Sequence, residues 1–269
     1  MAIRRGTRAG LTALALVLAS IAAAPGVAGA PSERIGADAA RAWHPDVRAA
    51  KRYAEDRAGE VSFAVFDMRG RLDHLRGGRR YPMASTFKVM LMVAYLRSGP
   101  VDDRELNEDD KDLLRPMIRR SDNEAATRIR DILGRHPIEK LADRAGMKHF
   151  RWDDIWGYCR SSARDQAHFM RTLRRYVPER HWDFARRQLA HIVERQRWGF
   201  GKAKPEGWRL YFKGGWGSGT GLVDHQIALL EREGRRIGVA VMTEGNPSHA
   251  YGKETLEEVA RRLLRGLPG

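Results

Sequence analysis

Tyr81-Pro82-Met83-Ala84-Ser85-Thr86-Phe87-Lys88 sets a serine one helical turn ahead of a lysine, at the mouth of an apolar run. Ser85 and Lys88 stand at i and i+3, so a helix starting here brings both side chains to one face. The next eight residues, Val89-Met90-Leu91-Met92-Val93-Ala94-Tyr95-Leu96, are apolar all round, the pattern of a buried helix. Burial disfavours an ammonium and lowers its pKa, so a neutral Lys88 can take the proton of Ser85 and make the hydroxyl a nucleophile. Alone the pattern carries little weight, because an N-cap serine followed by a snorkelling lysine gives the same letters.

Two further pieces follow in order. Ser121-Asp122-Asn123 comes after the apolar positions Leu113, Leu114 and Ile118, and Lys213-Gly214-Gly215 ends the strand-like Trp208-Arg209-Leu210-Tyr211-Phe212-Lys213. Together the three resemble the S-x-x-K, S-D-N and K-T-G set of class A β-lactamases and penicillin-binding proteins. Arg79-Arg80-Tyr81-Pro82-Met83-Ala84 before Ser85, Glu124-Ala125-Ala126 after the second motif, and Ser161-Ser162-Ala163-Arg164-Asp165 also fall in that family's order. The chain thus resembles the penicillin-recognising serine hydrolases, nearest to class A β-lactamases, over roughly residues 45–265.

The resemblance implies roles. Ser85 would be acylated, with Lys88 and Ser121 as proton shuttles, Ser121 delivering the proton to the leaving nitrogen. Asn123 would bind the substrate's side-chain amide, and Lys213 its carboxylate. Backbone N–H groups of Ser85 and Trp216, the residue after Gly215 on the substrate-binding strand, would meet the developing oxyanion. Bland readings stand beside these: a helix N-cap cluster for Ser-Asp-Asn, a sheet-edge lysine for Lys213, core packing for Trp152, Trp156, Trp198 and Trp216.

The chain departs from the family at two places. Gly214 follows Lys213 where the family carries a hydroxyl, with Ser218 or Thr220 as substitutes. The segment 147–165 is short and lacks the glutamate of the family's E-x-x-x-N loop, and Asp153 and Asp154 are its only internal carboxylates. Either is a surrogate base for deacylation, or a solvated loop acid. Without one, acylation outpaces deacylation.

The first thirty residues read as a secretory signal peptide: Arg4, Arg5 and Arg8, the apolar run Leu11 to Ala24, then Ala28-Gly29-Ala30. The apolar run is short for a membrane span, and Cys159, the single cysteine, is far from the cleavage point, so neither a membrane anchor nor a disulfide framework is expected. Of the net charge of +15, the three arginines of the first thirty residues account for 3, leaving 15 − 3 = +12; that charge would draw an exported protein to anionic envelope polymers, but its arginines read more readily as a general compositional bias than as a binding stripe. Arginines scattered through every segment, with no nucleic-acid motif beside them, exclude a nucleic-acid partner. The nine histidines lack zinc spacing, so no metal and no organic cofactor are expected. His225, on a strand beside the presumed site, is a minor candidate for substrate binding.

A helix is expected from Pro45 to near Gly59, then a hairpin of Val61 to Phe66 and Leu72 to Leu75. Residues 85–205 read as helical with no strand. Strands return at 208–213, 222–230 and 237–243, with Glu233-Gly234 turning the last pair, before a helix through Leu256, Val259, Ala260, Leu263 and Leu264. The expected fold is α+β: an antiparallel sheet built from both chain ends, flanked by helices, with an all-helical insertion. Residues 1–30 form the signal peptide, 31–44 a linker and 45–269 the hydrolase domain. The expected protein is an exported, monomeric serine hydrolase acting on a small-molecule β-lactam or D-alanyl peptide. Its alternatives are a penicillin-inhibited D,D-peptidase and a non-catalytic envelope-binding protein.

Overall fold

In the computed structural model, which describes residues 43–268, Asp46 starts the first helix by accepting the Ala49 N–H at 3.0 Å. The segment read as a signal peptide and nearly all of the linker lie outside the described residues. Helix α1 (Val47–Glu55) turns Ala50 and Ala54 inward. The expected hairpin follows as β1 (Glu60–Phe66) and β2 (Leu72–Leu75), with Phe63 opposite Leu75. Strand β3 (Arg80–Pro82) leads into a 3-10 turn, Ala84–Thr86, and then α2 (Phe87–Leu96), whose ten residues are all buried.

The helical block continues through α3 (Gly99–Asp102), α4 (Glu108–Arg119), α5 (Asn123–Leu133) and α6 (His136–Arg144). Within it the structure corrects one expectation: residues Arg160–Ser162 form a strand, β4, which pairs antiparallel with β3, Tyr81 opposite Ser161. Three residues are too few for an alternation to be read. Ser162 then caps α7 (Ala163–Arg171), followed by α8 (Glu179–Ala190) and α9 (Phe200–Ala203).

The chain end supplies β5 (Arg209–Gly217), β6 (Val223–Arg232), β7 (Arg235–Glu244) and α10 (His249–Leu263). Glu233 and Gly234 turn β6 into β7 with positive φ of 48° and 77°, the two-residue connection that matches strand twist. The five-stranded sheet has the order β2-β1-β7-β6-β5, all neighbours antiparallel. β1 lies against β7, Val61 opposite Thr243, so the two chain ends do meet in one sheet. Helix α7 lies directly on it at Gly238, where a Cβ would come within 2.2 Å of the Ala167 carbonyl oxygen. Helices α1 and α10 pack on each other and on the sheet. No described helix is long and apolar enough to cross a membrane.

Candidate active site

Three pieces converge beside the sheet's last strand: the 3-10 turn before α2, the corner between α4 and α5, and the edge of β5. The turn is pinned from several sides. Met83 N–H donates to the Cys159 carbonyl at 2.7 Å, and Thr86 Oγ1 donates to the Met83 carbonyl at 2.7 Å. Ala84 takes a left-handed φ of 45°, a strained conformation for a residue with a Cβ, immediately before half-buried Ser85. Lys88 follows on the first turn of α2.

The second piece serves the helix and the site together. Asp122 is the N-cap of α5, accepting the Ala125 N–H at 2.9 Å. Its neighbours are left to face Lys88, helped by a φ of 62° at Ser121. Lys88 Nζ donates to the Ser121 carbonyl at 2.6 Å, to Ser121 Oγ at 3.2 Å and to Asn123 Oδ1 at 2.7 Å. Among the described residues no hydrogen bond joins Lys88 to Ser85. The N-cap reading of Ser-Asp-Asn and the site reading therefore hold at once, divided among the three residues.

From β5, Lys213 Nζ reaches Ser121 Oγ at 3.0 Å and the Gly214 carbonyl at 2.8 Å. Lys88 and Lys213 are both fully buried, and among the described residues neither has a carboxylate in ion-pair contact. Burial pulls the Lys88 pKa down to about 7, with the nearby charge of Asp122 resisting. Burial first, and then the charge of Lys88, hold Lys213 well below its ordinary value. The Ser121 hydroxyl thus lies between two amines, each disfavoured as a cation, a line along which a proton can pass.

β5 is an edge strand, so its outer N–H groups have no sheet partner. It crosses the 3-10 turn so closely that a Cβ on Gly215 would lie 2.9 Å from Ser85 N and 2.8 Å from Thr86 N. Glycine at 215 is therefore demanded by the approach of two backbones. Gly214 has a different cause: a side chain there would meet Trp198 Cη2 at 3.1 Å. Trp198 occupies the space in which the missing hydroxyl would stand. The Trp216 ring in turn sits 5.9 Å from Lys213 Nζ and 5.9 Å from the Trp198 ring.

Asp153 and Asp154 are exposed on the loop that precedes β4. Asp153 Oδ1 accepts the Ile155 N–H at 2.9 Å, and Asp154 Oδ1 accepts from Trp152 Nε1 at 3.1 Å. The group that this loop places over Lys88 is Trp156, whose ring centroid is 4.9 Å from Nζ and whose Nε1 donates to Thr127 Oγ1 at 3.2 Å. His225 is fully buried, its Nε2 donating to the Pro82 carbonyl at 2.8 Å and its Nδ1 accepting the Thr243 N–H at 3.1 Å. Burial drops its pKa to about 4. With both nitrogens occupied it braces the strand before Ser85 and does not face substrate.

Asn123, Lys88, Ser121 and Lys213 are thus joined in one chain of hydrogen bonds, with Gly215 against the Ser85 backbone. Trp156 and Trp198, read from the sequence as core packing, instead border this group, since a tryptophan carries no sequence signal of what it covers, and His225, read as a minor candidate for substrate binding, is a buried brace.

The model of the beta-lactamase enzyme family matches residues 106–267, a span that takes in Ser121 and Lys213 and begins after Lys88. No curated protein matches the chain by sequence. Among solved structures, a beta-lactamase from Sphaerobacter thermophilus DSM 20745 superposes with a TM-score of 0.73 at 22% identity, covering 82% of this chain and 97% of that one. The class A beta-lactamase of the last common ancestor of Gram-negative bacteria gives a TM-score of 0.70 at 23% identity, covering 81% and 98%. A protein described as PBP-A gives 0.67 at 18% identity, covering 81% and 93%. At these identities the structures speak for the fold, and the family model speaks for descent: the chain belongs to the beta-lactamase enzyme family, as a serine beta-lactamase-like hydrolase.

Proposed function

We propose that this protein is an exported serine hydrolase whose Ser85 is acylated by β-lactams and deacylated slowly. The observation that carries the reading is the Ser121 hydroxyl suspended between two buried lysines, 3.2 Å from one and 3.0 Å from the other. Neutral Lys88, one turn from Ser85, takes the Ser85 proton as Oγ attacks the lactam carbonyl carbon. The N–H groups of Ser85 and Trp216 receive the oxyanion. As the C–N bond breaks, Ser121 delivers a proton to the leaving nitrogen and is reprotonated along the lysine line. Lys213 and Gly215 line the strand on which the substrate's carboxylate end lies, and Asn123 takes its side-chain amide.

A second reading is favoured by one observation. The loop carboxylates Asp153 and Asp154 are exposed and engaged locally, and the group that their loop sets over Lys88 is an indole. A penicillin-inhibited D,D-peptidase, acting on D-alanyl cell-wall peptides, uses the same acylation chemistry and keeps the lactam adduct. In both readings residues 1–30 are removed on export, 31–44 form a linker and the domain 45–269 acts as a monomer with its helical subdomain at about 85–205.

Intact-protein mass followed over time after mixing with a penicillin tests the proposal. A mass increase equal to the lactam, mapped to Ser85 and abolished by Ser85→Ala, is expected. Labelling that survives that substitution would refute it.

A further inference from the structure

Beside Trp216 the structure holds an Asp–His pair that the acylation chemistry does not use. Asp224, opposite Trp216 in the β5–β6 register, is 2% exposed. His249, the first residue of α10, hydrogen-bonds its Oδ1 through Nδ1, and Asn246 Nδ2 donates to its Oδ2 at 3.0 Å. The first turn of α10 is cut away to admit the carboxylate: a Cβ on Gly252 would lie 2.0 Å from Asp224 Oδ2. Burial pushes the Asp224 pKa up to about 6, so above that pH an anion is held inside the fold. Among the described residues the basic side chain in contact with this carboxylate is His249.

The pair is built to aim that imidazole. With Nδ1 committed to Asp224, Nε2 is the ring's remaining polar atom. The His249 side chain is 44% exposed and stacks on Trp216, ring centroids 5.8 Å apart and planes 28° from parallel. Trp198 meets the imidazole edge-on at 5.8 Å and Trp216 at 5.9 Å, so the three rings form one cluster. A pocket of about 250 Å³, bordered by Trp216, Ser218, Leu222 and His249, opens in front of it. Trp198 is also the ring that excludes a side chain at 214. The residue that removes a hydroxyl from the third motif therefore packs on the residue that offers a new donor.

We propose that His249, aimed by Asp224, is a specificity-determining residue that receives the substrate's carboxylate as an imidazolium, Nδ1–H donating to Asp224 and Nε2–H to the substrate, in place of the hydroxyl absent after Lys213. Asp224 is a positioning residue, acting only through the imidazole. The inference rests on the acyl-enzyme reading of Ser85.

The test is the second-order rate of Ser85 labelling by a penicillin and by its methyl ester, read by intact mass. The parent protein is expected to prefer the free acid by about tenfold or more, the scale of one charge-assisted hydrogen bond. His249→Phe keeps a ring against Trp216 and loses the donor, and Asp224→Asn keeps the shape and loses the negative charge that pairs with the imidazolium. Both should bring the acid-to-ester ratio toward one, with the loss concentrated in the concentration needed for half-maximal labelling. Should Asp224→Asn fail to fold, His249→Phe decides alone. A ratio in His249→Phe equal to the parent's, or a parental ratio near one, overturns the inference and leaves the acyl-enzyme reading standing. A parent that labels with neither compound refutes the acyl-enzyme reading and this inference with it.

Discussion

The Lys213 Nζ lies 3.0 Å from the Ser121 hydroxyl, although 92 positions separate the two residues in the chain. One comes from the edge strand of the sheet and the other from a corner of the helical block, so the contact stitches the two halves of the fold at the proposed reacting centre. Ser121 accepts from Lys88 on its other side. Removing the hydroxyl by Ser121→Ala leaves two buried amines with no bridge between them. Acylation of Ser85 is expected to fall by about 10² to 10⁴, the range for a positioned acid or base, without disappearing. Single-turnover labelling measures it, and an unchanged rate would remove Ser121 from the proton path.

Lys88 sets a pH dependence whose sign follows from its burial. The amine must be neutral to take a proton, and its pKa is pulled down to about 7. The competent fraction therefore grows as pH rises through 7 and levels off above it. Labelling rates measured from pH 5.5 to 9 should show one ascending inflection near neutrality. In Lys88→Ala the rate should fall by about 10² to 10⁴ and that inflection should vanish. Retention of the inflection in the variant would assign it to another group.

Gly215 is where the sheet meets the nucleophile's turn. A methyl group at this position would sit 2.8 Å from Thr86 N, 2.9 Å from Ser85 N and 3.0 Å from the Met83 carbonyl oxygen, all of them backbone atoms that cannot swing aside. Gly215→Ala should cost about 1 to 3 kcal/mol of stability, as overpacking does, and should slow acylation by parting Ser85 from β5. Urea melts and labelling rates on the same sample check both. A variant as stable and as reactive as the parent would mean that the two backbones are further apart than described.

How much of this was written in the chain differs by element. Apolar alternation and the Glu233-Gly234 turn placed β1, β6 and β7 within a residue or two, because periodicity and turn chemistry are local properties. The apolar run after Lys88 likewise announced a buried helix, and its burial is what lowers the lysine's pKa. β4 escaped, being three residues whose pairing with β3 is decided by tertiary contact. The three motifs located Lys88, Ser121, Asn123 and Lys213, whereas Trp156 over Lys88, Trp198 under Gly214 and the His249–Asp224 pair are products of packing between distant segments. No spacing along the chain encodes such contacts.

In the proposed cycle, deacylation is the limiting step. Forming the adduct needs a nucleophile, a base and an oxyanion site, but hydrolysing it needs a second base aimed at a water on the acyl carbon. The loop before β4 offers only Asp153 and Asp154, both exposed and bonded to their own loop, while Trp156 lies over Lys88. Penicillin turnover is therefore expected to be limited by deacylation, with acyl-Ser85 accumulating in the steady state, and intact mass taken during turnover reads it directly. If one aspartate swings in to serve the water, its Asn variant will lengthen the adduct's lifetime without slowing its formation. Equal lifetimes in both variants leave the loop without a base and favour the D,D-peptidase reading. Rapid turnover with no detectable adduct, unchanged in Asp153→Asn and Asp154→Asn, would place the water-activating group elsewhere in the site and overturn the slow-release mechanism.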